Sequence, residues 1–423
     1  MARWFYSLVW YLALPLVLLR LKKRARQAPA YGERVAERFG DVPARDDRPL
    51  WIHAVSVGET VAIAPLVTLL LEREPDLPIL ITTMTPTGAE RVRSLFPEQV
   101  QHLYCPYDLP HALTRFLKRI KPRALIVVET ELWPNMGAIC KQRKVPVLLA
   151  NARLSARSAK GYAKFSALTR PMLNNLSLVV AQNQTDGARF VELGLPKQNL
   201  VVTGSVKFDI SVPDQARIDA EVLKRQWGSE RPVLVAGSTH DGEETKLLDL
   251  LSQLQKKIPD LLLVLVPRHP ERFEAVNQLA KERGLNVCRR SEGQPSADTQ
   301  VYLGDTMGDL LMLYATADLA FVGGSLIERG GHNPLEPAAL AKPVIMGEHV
   351  FNFAVICEAL AQAGGLLQVE SGDALEQQCL SVLQDPQKAA QLGSAAAAFV
   401  QENQGALERL YQQVESVCLK ERS

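Results

Sequence analysis

The feature that most constrains the fold is the alternation of short apolar runs with helical stretches from about residue 50 onward. The runs are rich in Val, Ile and Leu and lack polar alternation, which is typical of strands covered on both faces. Strands that alternate with helices predict a parallel, doubly wound sheet. Two such series, separated near residues 205–217, predict two Rossmann-like α/β domains over residues 28–212 and 213–423.

The predicted strands fix where a functional site belongs. Open parallel sheets bind ligands at the carboxyl ends of their strands. We therefore expect a site assembled from the turns after these strands, in a cleft between the two facing domains. The runs are LWIHAVSV, PILITT, ALIVVET, VPVLLAN, LSLVVAQ and NLVVTGS in the first half, and PVLVAGS, LLLVLVP, LNVCR, QVYLG, DLAFVGGS, KPVIMG and GLLQV in the second.

The N-terminus carries a membrane signal. Residues 4–19 form an apolar run of sixteen residues without a charge, and the basic segment RLKKRARQ follows at once. A transmembrane helix takes about 20 apolar residues, and Trp and Tyr, which recur in this run, favour membrane interfaces while positive charges stay on the cytoplasmic side. We predict a membrane anchor with a basic flank over residues 1–27; a buried N-terminal helix is the alternative. Whether the anchor spans the membrane or lies in its interface stays open.

Composition excludes several classes of protein. The net charge of +2 does not indicate a polyanionic partner, and six scattered cysteines without a CxxC pair exclude a disulfide framework and a zinc signature. The absence of GxxxxGK[ST] and GxGxxG disfavours a P-loop ATPase and a simple dinucleotide enzyme.

The residues at the predicted strand ends divide into two chemical groups. In the first half they include the acids Glu59 and Glu129 and the base Lys207; in the second they include glycines, hydroxyls, Arg268 and His269. Carboxylates suit proton transfer, and a guanidinium suits bidentate contact with phosphate. We predict that the first half transfers a proton and the second holds an anion. His269 is either a second donor to that anion or a simple loop residue.

The segment FVGGSLIERGGHNPLEPAAL (321–340) is the densest motif of the second half. Asn333 is a good N-cap and Pro334 fits the first helical position, so we predict a helix start whose free N–H groups bind phosphate. Glu336 either accepts hydrogen bonds from a ribose diol or completes a capping interaction. The backbone of Met307, Gly308 and Asp309 is a further candidate contact, for a nucleobase.

A basic stretch in the first half points to an acidic partner. No Asp or Glu occurs from Leu132 to Thr185, and Arg153, Arg157, Lys160 and Lys164 recur at spacings of four, three and four. On a helix these residues share one face. Anionic lipid head groups or a phosphorylated acceptor fit this face; a merely solvated basic surface is the alternative. Nucleic acid is disfavoured, because stacking aromatic residues are missing nearby.

The motifs HAVSVGET, TTMTPTGAERV, ETELWPN, NARLSARSAKGYAKF, TGSVKFDI, VPRHPERF and FVGGSLIERGGHNPLEPAA occur in one order across nearly the whole chain. In this the chain closely resembles the 3-deoxy-D-manno-octulosonic acid (Kdo) transferases. The resemblance implies a GT-B glycosyltransferase that inverts the configuration as it transfers Kdo from CMP-Kdo to lipid IVA. It also implies a location at the cytoplasmic face of the inner membrane of a Gram-negative bacterium.

The same resemblance assigns roles to individual residues. Glu59 matches the catalytic base, and Glu129 and Lys207 match residues that stabilise the transition state. The CMP-contacting segments match Pro267, Arg268, Met307, Gly308, Asp309, Asn333, Pro334, Leu335 and Glu336. We expect no metal and no cofactor, since no DxD-type acid pair follows a strand in the second half.

Two questions stay open at this point. A helix N-terminus lowers the pKa of a carboxylate, so desolvation on substrate binding would have to restore the basicity of Glu59. The alternatives to a Kdo transferase are another GT-B enzyme that uses a UDP-sugar, and a non-catalytic scaffold that binds lipid through the anchor and the basic face.

Overall fold

A computed structural model describes residues 1–370 and 372–420, and the chain divides into two compact units. The first unit comprises residues 1–209 together with the C-terminal segment from residue 404, and the second comprises residues 210–403. Each unit contains one seven-stranded sheet, and every strand pair within it is parallel. The prediction of two doubly wound α/β domains is therefore confirmed.

The first sheet has the strand order β3-β2-β1-β4-β5-β6-β7. Its strands are β1 Leu50–His53, β2 Ile79–Thr83, β3 Val100–Tyr104, β4 Ala124–Val128, β5 Val147–Ala152, β6 Leu178–Ala181 and β7 Leu200–Val202. The helices of this unit are α1 Ala2–Gln27, α2 Val57–Arg73, α3 Pro86–Leu95, α4 Pro110–Ile120, α5 Pro134–Gln142, α6 Ala156–Lys164, α7 Ser166–Leu173, α8 Gln184–Glu192 and, near the C-terminus, α17 Ala406–Val414.

The second sheet has the order β10-β11-β9-β8-β12-β13-β14. Its strands are β8 Val233–Thr239, β9 Leu262–Pro267, β10 Val287–Arg289, β11 Val301–Leu303, β12 Leu319–Val322, β13 Val344–Met346 and β14 Leu366–Gln368. The helices are α9 Asp214–Trp227, α10 Glu243–Leu254, α11 Phe273–Glu282, α12 Leu310–Ala315, α13 Leu335–Ala339, α14 Ala354–Gln362, α15 Gly372–Leu383 and α16 Pro386–Asn403.

Strand β1 shows why the strands read as unbroken apolar runs. Successive side chains of a strand point to opposite faces of the sheet. Trp51 packs into the apolar cluster on one face, and Leu50 and Ile52 pack into the cluster on the other. All three are completely buried. Because helices cover both faces, neither face selects polar residues.

The C-terminal segment corrects the predicted domain boundaries, which assigned residues 213–423 to one domain. Helix α17 packs in the first unit, where Leu410 and Val414 are buried in its apolar core. The carboxylate of Asp209 accepts hydrogen bonds from the N–H groups of Gly405 (2.6 Å) and Leu407 (2.7 Å). These contacts stabilise the first unit with residues that come last in the chain.

Helix α1 is a single 26-residue helix, long and apolar enough to cross a membrane. One face contacts the first unit: Ser7 is hydrogen-bonded to Asn135, and Trp10 packs against Tyr107 with the ring centroids 6.1 Å apart. The rest of the apolar run is exposed, including Leu12 and Leu16 at 72% and 69% of their surface. The alternative of a buried N-terminal helix is therefore wrong.

Candidate functional site

The predicted acidic residues Glu59 and Glu129 lie at the carboxyl ends of two neighbouring strands of the first sheet. Strands β1 and β4 are neighbours in the sheet, but their connections lead to opposite sides, which is the topological switch point of an open sheet. Glu59 stands in the first turn of α2, which follows β1, and Glu129 directly follows β4. The fold thus places both carboxylates at the position where parallel sheets bind ligands.

Glu59 is half-buried, and its Oε2 atom accepts a hydrogen bond from the Val55 N–H at 2.6 Å. The pKa of Glu59 is raised to about 8: burial is the largest cause, the hydrogen bond from Val55 opposes it, and the charges of Glu131 and Glu129 add to it. Burial within the protein therefore outweighs the opposing effect that we expected from the helix N-terminus. A carboxylate with such a pKa is a competent base near neutral pH.

Lys207 and Arg153 belong to the same group of charges. Lys207 lies in a 3₁₀ turn, Val206–Phe208, after β7. Burial lowers the pKa of Lys207, the carboxylate of Glu129 raises it, and the guanidinium of Arg153 lowers it. The structure therefore brings Glu59, Glu129 and Lys207 together, with Arg153 beside them. Two cations and two carboxylates at these strand ends can stabilise charge and move a proton.

The basic stretch is arranged differently from the prediction. Arg157, Lys160 and Lys164 lie on α6 and are exposed, as the spacing predicts. Arg153 is not on that helix: it precedes the N-cap Ser155, whose hydroxyl accepts a hydrogen bond from the Ser158 N–H. The prediction of one helical face with four members is wrong for Arg153, because the chain needs a turn between β5 and α6.

Backbone strain marks the ends of these strands. Glu129, Asn151 and Ser238 have φ angles of +59°, +51° and +56°, a left-handed conformation that non-glycine residues rarely adopt. They lie at the ends of β4, β5 and β8. Asn151 is buried, and its Oδ1 faces the N–H of Val206 at 3.4 Å, next to Lys207. Such strain is frequent at functional sites, and here it coincides with the strand ends that carry the candidate residues.

One residue of this group has no role in the sequence-based prediction. Glu131 accepts a hydrogen bond from the indole Nε1 of Trp133 at 2.9 Å and raises the pKa of Glu59 through its negative charge. Its only signal in the sequence is its position two residues after Glu129, at the same strand end.

The second unit carries Arg268 and Glu336 at the corresponding edge of its sheet. Arg268 follows β9, donates its N–H to the carbonyl of Thr239 at 2.9 Å and keeps its side chain exposed. Burial raises the pKa of Glu336, whereas the hydrogen bond from Asn333 and the charge of Arg268 lower it. A cation, an amide and a half-buried carboxylate thus share one electrostatic neighbourhood, which suits a ligand with both anionic and hydroxyl groups.

The predicted helix start needs correction. Helix α13 begins at Leu335, one residue later than predicted, and it has only five residues. Asn333 still accepts from the Leu335 N–H (3.2 Å), and its amide contacts Glu336 (3.4 Å). Since so short a helix aligns few peptide dipoles, it cannot supply the anion site that we expected from a helix N-terminus. The contact with Asn333 is of the capping kind, and the role of Glu336 toward a ribose stays a prediction.

The other residues predicted to contact the nucleotide differ in how far their side chains are exposed. Met307 is 65% exposed, and Gly308 has a φ of +94° in the turn before α12. The carboxylate of Asp309 is held by Arg290 and Thr306, which keep its pKa below the ordinary value although burial raises it. Pro267, Pro334 and Leu335 are buried, so they offer a ligand backbone rather than side chains.

A buried carboxylate fixes the glycine-rich turn of the second unit. Glu243 opens α10 and is completely buried. Its oxygens accept hydrogen bonds from the backbone N–H groups of Gly324 (2.7 Å), Ser325 (3.0 Å), Leu326 (2.9 Å) and His240 (3.1 Å). The buried carboxylate of Glu243 therefore holds the backbone of the turn after β12 in place.

We expect Glu243→Gln to destabilise the second unit by about 2 kcal/mol, because an amide hydrogen then faces buried N–H donors. Differential scanning calorimetry of the ligand-free protein measures the effect as a lower unfolding midpoint. Glu221→Gln, at an exposed position of α9, is the matched control. Equal midpoints for the two variants would contradict the role of Glu243.

Comparison with known proteins agrees with this geometry. Residues 33–210 match the family model described as 3-deoxy-D-manno-octulosonic-acid transferase, and residues 243–399 match the model for glycosyl transferases of group 1. The chain is 43% identical to the 3-deoxy-D-manno-octulosonic acid transferase of Haemophilus influenzae over 97% of both chains. It is 37% identical to the enzyme of that name from Bordetella pertussis, over 97% of this chain and 98% of the relative.

A solved structure supports the fold class alone. MurG from Acinetobacter baumannii is 13% identical and superposes with a TM-score of 0.58, over 87% of this chain and 99% of that chain. The two parallel sheets, the group 1 glycosyltransferase match and this likeness indicate a GT-B-like fold. Since the sequence identity to the named relatives extends over almost their whole length, the chain belongs to the Kdo transferase family and is a glycosyltransferase.

Proposed function

We propose that this Kdo transferase takes Kdo from CMP-Kdo and transfers it to lipid IVA at the cytoplasmic face of the inner membrane. The observation that carries the proposal is a carboxylate, Glu59, whose pKa is raised to about 8 at the switch point of the first sheet. The acceptor hydroxyl must lose a proton as the new bond forms, and Glu59 supplies the base. The cation and the amide around Glu336 in the second unit suit the anionic nucleotide.

In the proposed reaction, Glu59 removes the proton from the acceptor hydroxyl, which attacks the anomeric carbon of Kdo. The bond from that carbon to the phosphate of CMP breaks, and CMP leaves with the electron pair. Lys207, with Glu129 beside it, stabilises charge that develops during transfer. Attack opposite to the leaving group inverts the configuration, so one base suffices and a second nucleophilic carboxylate is not required.

The N-terminal helix supports the proposed location. The exposed residues of α1 from Trp4 to Leu19 are apolar, and a basic flank follows from Arg20 to Arg26. An apolar face with adjacent cations binds the interface of an anionic membrane. Since Ser7 and Trp10 hold one face of α1 against the first unit, we infer that the helix lies in the interface rather than spans the bilayer.

We expect the double substitution Leu12→Glu and Leu16→Glu to weaken binding to vesicles of anionic phospholipid at least about a hundredfold, because two exposed apolar anchors become charged. Cosedimentation measures the binding. Ile218→Glu with Val222→Glu changes two exposed apolar residues of α9 and is the matched control. Vesicle binding that both double variants retain would contradict the anchor.

The exposed basic residues of α6 provide a test of the acceptor. We expect the triple alanine variant of Arg157, Lys160 and Lys164 to raise the KM for lipid IVA about tenfold or more, since each cation near an anionic surface contributes about 1 kcal/mol. The KM for CMP-Kdo stays unchanged. A triple alanine variant of Lys256, Lys257 and Lys281 removes the same charge from the second unit. An equal effect on both KM values would remove the acceptor role.

Mass spectrometry of lipid IVA, incubated with the protein and a supply of CMP-Kdo, tests the proposal as a whole. We expect product ions that carry added Kdo and that disappear in the Glu59→Gln variant. Turnover of a UDP-sugar with CMP-Kdo left untouched would favour another GT-B enzyme. Lipid binding without any turnover would favour the non-catalytic scaffold.

A further inference from the structure

Two histidines at the switch point of the second sheet form a pair. Strands β8 and β12 are neighbours there, and their connections diverge. His240 follows β8, and His332 lies in the loop after β12, where its N–H donates to the carbonyl of Gly323 at 3.0 Å. The Nε2 atoms of His240 and His332 are 2.7 Å apart, and their rings are stacked within 8° of parallel.

The glycine turn allows this pairing. Gly324 has a φ of +72°, and a Cβ built on it would lie 3.1 Å from the Cδ2 atom of His332. The N–H group of Gly324 also donates a hydrogen bond to the buried carboxylate of Glu243. The same carboxylate accepts from the His240 N–H, so one group positions both sides of the pair.

Several cationic side chains surround the His240–His332 pair, so an anion that binds there would be stabilised. Burial, together with the charges of His240, Arg268 and His269, lowers the pKa of His332 to about 4. Burial also lowers the pKa of His240, and neighbouring cations add to the effect. The charges that act on the pair are those of Arg268 and His269 after β9, Arg272 in the following turn and Arg329 in the loop after β12. The nearby carboxylates are Glu243 on α10, which accepts from the His240 N–H, and Glu336 on α13, which interacts with Arg268.

We propose that His240 and His332 bind the phosphate of the nucleotide and that the pair takes up one proton from solvent when the phosphate binds. The inference rests on the proposed CMP-Kdo donor. Two neutral imidazoles share one hydrogen between their Nε2 atoms, because one nitrogen donates and the other accepts. The incoming phosphate offsets the repulsion from the surrounding cations, and the pair then holds three ring hydrogens instead of two.

Proton uptake gives the pair a part in the reaction. The phosphate of CMP-Kdo is a diester with one negative charge, and the departing CMP becomes a monoester with close to two. The protonated pair stabilises the charge that appears as the bond to Kdo breaks. No covalent bond forms to either histidine, and the proton of the acceptor hydroxyl still goes to Glu59.

Isothermal titration of the full-length protein with CMP tests the inference. At about pH 7.5, in buffers with different ionisation enthalpies, the slope of the observed enthalpy against the buffer's ionisation enthalpy equals the number of protons taken up. We expect a slope between about one half and one for the wild type, and a slope near zero for His240→Gln and His332→Gln. Cytidine, which lacks the phosphate, should show no uptake with any variant.

His349→Gln is the matched control, since His349 is also in the second unit and contacts Glu348 rather than the pair. It should retain the wild-type slope, and cytidine binding by every variant confirms that the unit is folded. A zero slope for wild-type CMP binding, or a full slope in both pair variants, would overturn the histidine assignment and leave the proposed function intact. Failure of the wild type to bind CMP at all would overturn the proposed donor and the pair's role with it.

Discussion

Replacing Glu59 with Gln should lower kcat by about 10²–10⁴-fold, the contribution that a positioned general base makes to catalysis. Gln keeps the size of the side chain, and its oxygen can still accept the hydrogen bond from the Val55 N–H. It cannot remove a proton from the acceptor hydroxyl. The loss should therefore appear in kcat at saturating CMP-Kdo and lipid IVA, while CMP binding measured by titration calorimetry stays unchanged.

Glu72→Gln is the control for this experiment, because Glu72 is exposed on the same helix, α2. Its kcat should match the wild type. A Glu59→Gln enzyme with more than about a tenth of wild-type kcat would show that another group takes the proton, since a lost base costs far more. Glu131 is the neighbouring carboxylate that would then have to be tested.

The second large effect is on the pH dependence of transfer. Burial raises the pKa of Glu59 to about 8, and only the ionised carboxylate can act as a base. The value of kcat/KM for the acceptor should therefore rise about tenfold per pH unit below pH 8 and level off above it. Between pH 6 and pH 8 the expected change is about fiftyfold, because half of the Glu59 carboxylates are ionised at pH 8 and only about one in a hundred at pH 6. Initial rates at fixed ionic strength across this range provide the measurement.

The stability of the folded protein should decrease with rising pH over the range in which the rate of transfer increases, because both depend on the ionisation of Glu59. Because the pKa of Glu59 is higher in the folded protein than in an unfolded chain, the contribution of its protonated form is complete below about pH 4.5 and is lost as the pH rises through about 8. Glu59→Gln removes this dependence, so its unfolding midpoint should exceed that of the wild type above pH 8. A flat pH–rate profile in the wild type would show that Glu59 is not the base.

Most of the strands are predictable from the pattern of apolar runs, and strand β3 is the exception. Every predicted run contains a strand, but β3 is missing from the prediction. Its residues Val100–Tyr104 include Gln101 and His102, so the run is not continuously apolar. β3 lies at the edge of the first sheet, where one side of the strand has no neighbour and an exposed polar side chain costs little. Apolar continuity therefore identifies inner strands better than edge strands.

The site is predictable to the extent that it depends on strand ends. Glu59 and Glu129 follow adjacent strands, and the switch-point rule brings them together from the sequence alone. The pKa of Glu59 and the position of Arg153 outside α6 are not predictable in this way. Both depend on burial and on turns that form only when distant segments pack. The His240–His332 pair joins residues 92 positions apart, a contact that only the folded sheet defines.

The return of helix α17 to the first unit makes the second unit an insertion within the first. During synthesis, residues 210–403 are complete and can fold while the earlier unit still lacks Leu410 and Val414 from its core. The part of the chain made first is then the part finished last. A released chain that ends at residue 403 should thus resist proteolysis in its later half and remain cleavable in its earlier half.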